Sequence, residues 1–435
     1  MTKHRVSRLP PRGRRTGGYW IWIEFARGRG KRYTAGRYPD DRRAHPDHPA
    51  PSDRAEATKP DIRIGRQTRT LWRSSKVSEL NQRNKRTAIA FWRTLDKAAE
   101  MSADIHSFLA QDMRWDGFAP FADTRSAADF ISSFVTSFYK AFDQIHRETH
   151  IVMGGVSDGR VSGDSDGRHW VGGTGYLHAK QIRDLNVIPA RNMPLRLRWG
   201  EFLEFDEAGK ITKIQTIIDV IDWLEQINLS PLPKATGAAH VYPPPTGCNG
   251  YLTDEQDAQK STGLRDYARD FIFGGLNGFD QSDLKSMGMA HYFHPNLKWY
   301  GPGGIGACLS FKEFEDLHQR PWLIAFPDRT VGDLDSLIAE GKFVGASGMP
   351  GVTLTHTGPY LGHTATQARC GVNGIDFWRE ENGQFVENWV FVDMIHLFEQ
   401  MGIDLLERVN CMARHQARAD EEGLWSTTDN PPARG

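Results

Sequence analysis

Asp393 ends a strand-like run, QFVENWVFVD. In that run Glu387, Trp389, Phe391 and Asp393 share one face, and Val386, Val390 and Val392 share the other. A carboxylate in register with two aromatic rings has two readings. It is a favoured N-cap for a following helix. It is also an acid whose pKa an apolar wall, here Trp389, Phe391 and Trp378, can raise toward the range useful for proton transfer. The residues alone leave both open. His356, in THTGPYLG, is the imidazole to weigh with it. It could donate to a developing oxyanion, or simply be satisfied within a Thr-rich strand.

Other polar clusters point away from metals and cofactors. His291 and His294 have helical spacing, but Pro295 ends any helix there, and no carboxylate stands at a ligand-like offset from these, His318 or His363. Asp164 and Asp166, in GRVSGDSDG, lack calcium-loop spacing and read as turn residues. Gly303-Gly304-x-Gly306 is not a dinucleotide fingerprint, because no βαβ unit surrounds it. Neither a metal nor a cofactor is expected.

The elements that must position Asp393 occur twice. Residues 200–229 align without a gap on 374–403 at an offset of 174. Gly200, Glu207, Gly209, Asp219, Ile221, Glu225 and Gln226 fall on identical residues. Each copy reads as strand, Gly turn, strand ending at Asp, then a short amphipathic segment. Asn382-Gly383 is a strong two-residue hairpin signal, since both central positions need positive φ. Phe130, Phe134, Phe138 and Phe142 stand four apart as a helix stripe. In SFKEFEDLHQRPWLIAFPD a helix is expected to stop at Pro321.

The 435 residues carry no net charge, but the charge is uneven: 24 Lys+Arg against 8 Asp+Glu up to Arg93. Residues 1–77 read as a basic disordered extension. A first domain is expected over 100–230, a Pro-rich linker over 231–260, a second domain over 261–410 and a disordered tail over 415–435. No apolar run suits a membrane span, and nucleic-acid binding is not expected of the basic extension. Four scattered cysteines without a secretory signal point to a cytoplasmic protein with reduced thiols.

The ordered set Thr355-His356-Thr357-Gly358-Pro359-Tyr360, Gly374-Ile375-Asp376, Arg379, Gly383, Glu387-Asn388-Trp389, Asp393 and Gln400-Met401-Gly402 resembles the SnoaL-like polyketide cyclases, or ester cyclases, of the nuclear-transport-factor-2-like superfamily. It covers about 260–410. The first half keeps only Gly173 to Gly175, Gly209, Asp219 and Gln226, and lacks the His and the E-x-W. The resemblance implies an α+β chain of two tandem cone-shaped barrels, helices packed on a curved antiparallel sheet. It further implies cofactor-free acid–base catalysis, of cyclase or isomerase type, on a small, largely apolar carbonyl compound. Asp393 is then the base, with Asp219 at the equivalent place and His356 beside Asp393. Trp389, Trp378, Tyr300 and Phe391 line the second cone; Trp115, Trp170 and Tyr176 line the first. The alternative is a non-catalytic small-molecule-binding protein of the same fold. Either a homodimer or an intrachain pseudo-dimer fits this duplication.

Overall fold

The computed structural model describes residues 64–98, 104–121 and 124–421. The stretches 1–63 and 422–435, most of the expected extension and tail, lie outside the described residues. Two expected boundaries move. The helix Ile64–Leu95 starts well before residue 78, and the helix Leu405–Glu421 runs into the expected tail. Both stretches lack proline and are rich in Arg, Gln, Leu and Ala, which are good helix formers.

The alternating runs form two sheets. The first contains β1 (Leu109–Asp116), β2 (Thr124–Ser126), β3 (Phe142–Val156), β4 (His169–Gln181), β5 (Pro194–Phe205) and β6 (Ile211–Ile218), in the order β2-β1-β6-β5-β4-β3. The second contains β7 (Phe293–Tyr300), β8 (Ala307–Cys308), β9 (Thr330–Val331), β10 (Ser336–Glu340), β11 (Phe343–Thr355), β12 (Arg369–Glu381) and β13 (Gln384–Val392). Its order is β8-β7-β13-β12-β11-β10, with β9 beside β11. β1 runs parallel to β6, as β7 does to β13, and the other neighbours are antiparallel. The two sheets therefore share order and direction, and the chain is α+β with the same architecture twice.

A helix covers each sheet: Ile64–Leu95 lies on β3 and β4, and Ala258–Arg269 lies on β10 and β11. Between the first strands and the long ones, each half inserts a helical run, 127–141 and 311–325. Each run contains a wide π-turn, Phe130–Val135 and Phe314–Gln319. Pro321 does not stop the second run, contrary to expectation. It follows the wide turn directly and sits in the first turn of the renewed helix Arg320–Ala325, where its missing N–H costs little.

The hairpins show where the repeat slips. Asn382 and Gly383 both have positive φ, 53° and 85°, as the turn signal required. On β6 and β13 the offset of 174 pairs Thr216 with Val390. Across the ladder, however, Thr216 faces Glu201 and Val390 faces Asp376. The first strands of the two hairpins are thus related by 175, not 174. A one-residue slip exchanges the two faces of a strand.

The two sheets pack face to face within the chain. Phe202 stacks on Phe377 with ring centroids 5.3 Å apart, and Phe391 meets Tyr242 at 5.4 Å. Gly200 makes room for this seam: a Cβ there would come within 2.9 Å of the Phe391 ring. Each buried ring contributes roughly 2 kcal/mol by removal from water. The Pro-rich stretch after residue 230 is no loose linker. It inserts Tyr242 into the seam, takes the Trp389 Nε1 hydrogen bond on the Pro243 carbonyl at 2.8 Å, and donates from Thr246 to Glu387.

Candidate functional site

The strand faces decide which side chains see a cavity. In the second half, β12, β13, the 311–325 run and the Phe271–Ile272 segment enclose a space of about 210 Å³. β13 turns Asn388, Val390 and Val392 toward it. Trp389 and Phe391 point the other way, into the seam. The alternation read from the sequence holds, but the face assigned to the cone interior is corrected. Both faces of β13 are apolar because both are covered, one by the cavity and one by the other half, so hydrophobicity could not distinguish them.

Asp393 therefore does not line the cavity. Its Oδ1 caps the helix Met394–Gln400 through His396 N at 3.1 Å, and its Oδ2 accepts from Ala119 N of the first half at 2.8 Å. Burial raises its carboxyl to about 6, against the pull of those two N–H donors. Asp219 is placed the same way. It caps Val220–Gln226 through Asp222 N and accepts from Gly303 N of the second half at 2.9 Å. It also holds the buried Arg198 at 3.2 Å. Its pKa too is raised by burial, with Arg198 opposing.

His356 does not meet Asp393. Its Nδ1 is engaged by Thr366, at 3.1 Å to Oγ1, and its ring packs on Phe326. Of the seven aromatic residues expected to line a pocket, only Trp378 lies on this cavity. Tyr300 packs on Trp389 in the seam. Trp170 packs on Phe202, and Tyr176 on His150 and Tyr242. Trp115 fills the interior of the first half between Phe130 and Phe134, with centroids at 5.3 and 4.9 Å.

The cavity has its own acid, Asp376 on β12, directly across the ladder from Val390. Asp376 as a whole is half-buried, and among the described residues one side-chain donor reaches its carboxylate, Asn388 Nδ2 at 3.3 Å. Withdrawal from water raises it to about 7, and the Asn388 donation offsets only part of that. Four polar groups on cavity-lining residues have no partner among the described residues: His318 Nδ1, Gln319 Oε1, Tyr360 Oη and Trp378 Nε1. His318 lies flat on Trp299 at 4.2 Å. Burial, helped by the nearby Arg329 charge, pushes its imidazole down to about 3, so it is neutral at physiological pH. An acid raised toward neutrality, in an apolar space that neutral donors also line, can remove and return a proton on carbon.

The first half carries the same design, filled in. Glu201 stands where Asp376 stands, but Trp92 Nε1 at 2.5 Å and Thr216 Oγ1 at 2.7 Å occupy its two oxygens. Phe134 holds the fifth place of the π-turn, where the second half has His318. Phe134 stacks on Trp115 as His318 stacks on Trp299.

Asp376, Asn388, Tyr360 and His318, which line this cavity, were not among the site residues expected from the sequence. Asp376 was in view, inside the Gly-Ile-Asp motif. The even face of β13, pointing at it, was the usable signal. Asp222, Glu225 and His240 bring ligand atoms within 4.8 Å of one another, but the Asp222 oxygen is already shared by Arg198 and His240, each at 2.9 Å.

One comparison with known families falls on this same half. Residues 280–401 match the SnoaL-like polyketide cyclase family. The match spans the second sheet and the helix that follows it, not the chain as a whole. Solved structures align over about a third of the chain. TsrD of Streptomyces laurentii shares 24% identity over 34% of this chain and 98% of its own, with a TM-score of 0.26. AclR of Streptomyces galilaeus shares 23% over 33% and 87%, with a TM-score of 0.27. IdmH of Streptomyces antibioticus shares 19% over 31% and 97%, with a TM-score of 0.25. No curated protein matches the chain. No helix among the described residues is long and apolar enough to cross a membrane.

Proposed function

We propose that the second half is a cofactor-independent acid–base catalyst of cyclase or isomerase type, with Asp376 rather than Asp393 as its base. The substrate is a small, largely apolar carbonyl compound. Asp376 takes a proton from the carbon beside the carbonyl, and the neutral donors on the wall, Tyr360, Trp378 and His318, receive the enolate oxygen. The observation that carries this reading is a carboxyl raised to about 7 inside an apolar cavity, with one hydrogen bond from Asn388. The family match over 280–401 agrees with it.

We read the first half as a second copy of the fold that has lost its cavity and serves as the packing partner of the catalytic half. Glu201, sealed by Trp92 and Thr216, supports that reading. Deuterium exchange at the acidic α-carbon of 2-tetralone, followed by proton NMR, tests the catalytic proposal. The wild-type chain accelerates the exchange, and Asp376→Asn loses it by about 10²-fold or more. Exchange undiminished in Asp376→Asn overturns the assignment.

A further inference from the structure

The apolar wall of the cavity carries a cation that no described carboxylate neutralises. Arg329 lines the cavity and is 9% exposed. Its Nη2 donates to the Leu276 carbonyl at 2.9 Å and lies 2.7 Å from Met287 Sδ. Its guanidinium stands 5.8 Å from the Phe279 ring. The other well-buried guanidiniums are paired: Arg147 with Asp96, Arg198 with Asp219 and Asp222, and Arg379 with Glu387. Burying an unpaired charge is costly unless something supplies the opposite charge.

The base in the same cavity does not supply it. The side-chain partner of Asp376 is Asn388, and no electrostatic interaction joins Asp376 to Arg329. Burial lowers Arg329 to about 10, which leaves it charged at neutral pH. Carbonyl and sulfur partners engage one of its three nitrogens, so the planar fork has donors left for a two-oxygen anion.

We propose that Arg329 binds a carboxylate of the substrate, so that the cavity takes a keto acid, held by its anionic end at Arg329 while Asp376 works on the carbon beside the carbonyl. This rests on the acid–base reading of the cavity, but the two fail separately.

The test compares two ligands of similar shape, 2-naphthoate and the neutral 2-acetylnaphthalene. Quenching of tryptophan fluorescence reports binding, since Trp299, Trp322 and Trp378 line the cavity. The full chain at pH 8 binds 2-naphthoate about tenfold tighter or more, as a charge-assisted pair supports. Arg329→Met and Arg329→Gln, two neutral variants, lose the preference and keep the affinity for 2-acetylnaphthalene within about twofold. Arg329→Lys keeps part of it. Equal binding of the two ligands by the wild type, no binding of 2-naphthoate, or a preference that survives in the neutral variants overturns the proposal. Asp376→Asn separates the two claims. If it retains the naphthoate preference and loses α-exchange, both stand. If it retains both, the carboxylate site stands and the acid–base reading falls.

Discussion

Asp219 and Asp393 make the same bond in opposite directions. Each caps its own short helix with one carboxylate oxygen. With the other, each reaches into the opposite half to the N–H three residues beyond its first strand: Gly303 after β7 for Asp219, and Ala119 after β1 for Asp393. Two copies of one fold thus interlock through reciprocal buried hydrogen bonds. The repeated Asp that drew attention in the sequence is the fastener of this seam.

Removing either Asp therefore destabilises the fold. Asp393→Ala leaves the Ala119 and His396 N–H groups unpaired and costs about 2 kcal/mol. Asp219→Ala also strips Arg198 of a carboxylate and costs more, about 3 kcal/mol. Urea unfolding at pH 7 measures both. Asp393→Asn keeps one acceptor and loses less than Asp393→Ala.

Asp376 is expected to act on stability with the opposite sign. Its folded-state pKa of about 7 lies above the unfolded value of about 3.9, so the folded chain holds an extra proton between those values. The contribution of Asp376 is fullest below pH ~4, falls as pH rises toward ~7, and is level beyond. Asp376→Asn cannot ionise and escapes that fall. With the cavity admitting some solvent, we expect the variant to be about 2 kcal/mol more stable than wild type at pH 8, with no such gain at pH 4. Urea midpoints at the two pH values check this.

The pH profile of catalysis follows from the same group. The rate of 2-tetralone exchange rises through pH ~7 as Asp376 ionises. His318 adds no second limb between pH 5 and 9, because its imidazole, pushed down to about 3, does not titrate there. A further bend near pH 6.5, removed by His318→Gln, would show that His318 titrates in the working range.

The filled first half supplies its own substitution. Phe134 occupies the place of His318, stacked on the equivalent tryptophan. His318→Phe is expected to raise the thermal midpoint by a few degrees, as a ring suited to that wall replaces a buried unpaired imidazole nitrogen. The same change removes a donor and narrows the cavity, so exchange activity falls at least tenfold. Calorimetry and the exchange assay read the two effects independently.

Much of the architecture was legible in the sequence. The hairpin at Asn382-Gly383, the duplicated unit and the order of elements follow from turn chemistry and periodicity. The proposed site was legible only as chemistry, an acid in an apolar wall, and strand parity drew attention to Asp393 rather than to Asp376, the residue we propose. Val386, Val390 and Val392 look like packing, while Trp389 and Phe391 look like a pocket. The seam between halves reverses that, because the larger rings bury the larger interface. The slip from 174 to 175 hid the match between Glu201 and Asp376. A one-residue change inside a strand leaves the surrounding motif intact. Arg329 gave no pattern at all, since the absence of a described carboxylate beside it leaves no mark in the sequence.

The most direct test of the central claim is a carboxyl-carbon NMR titration that follows Asp376 and Asp393 together, assigned with Asp376→Asn and Asp393→Asn, with and without 2-tetralone. The account predicts that Asp376 titrates near 7 and that its resonance and midpoint move when the ligand enters, while Asp393 stays unchanged. A midpoint near 4 for Asp376, or a ligand response at Asp393 and none at Asp376, would contradict it.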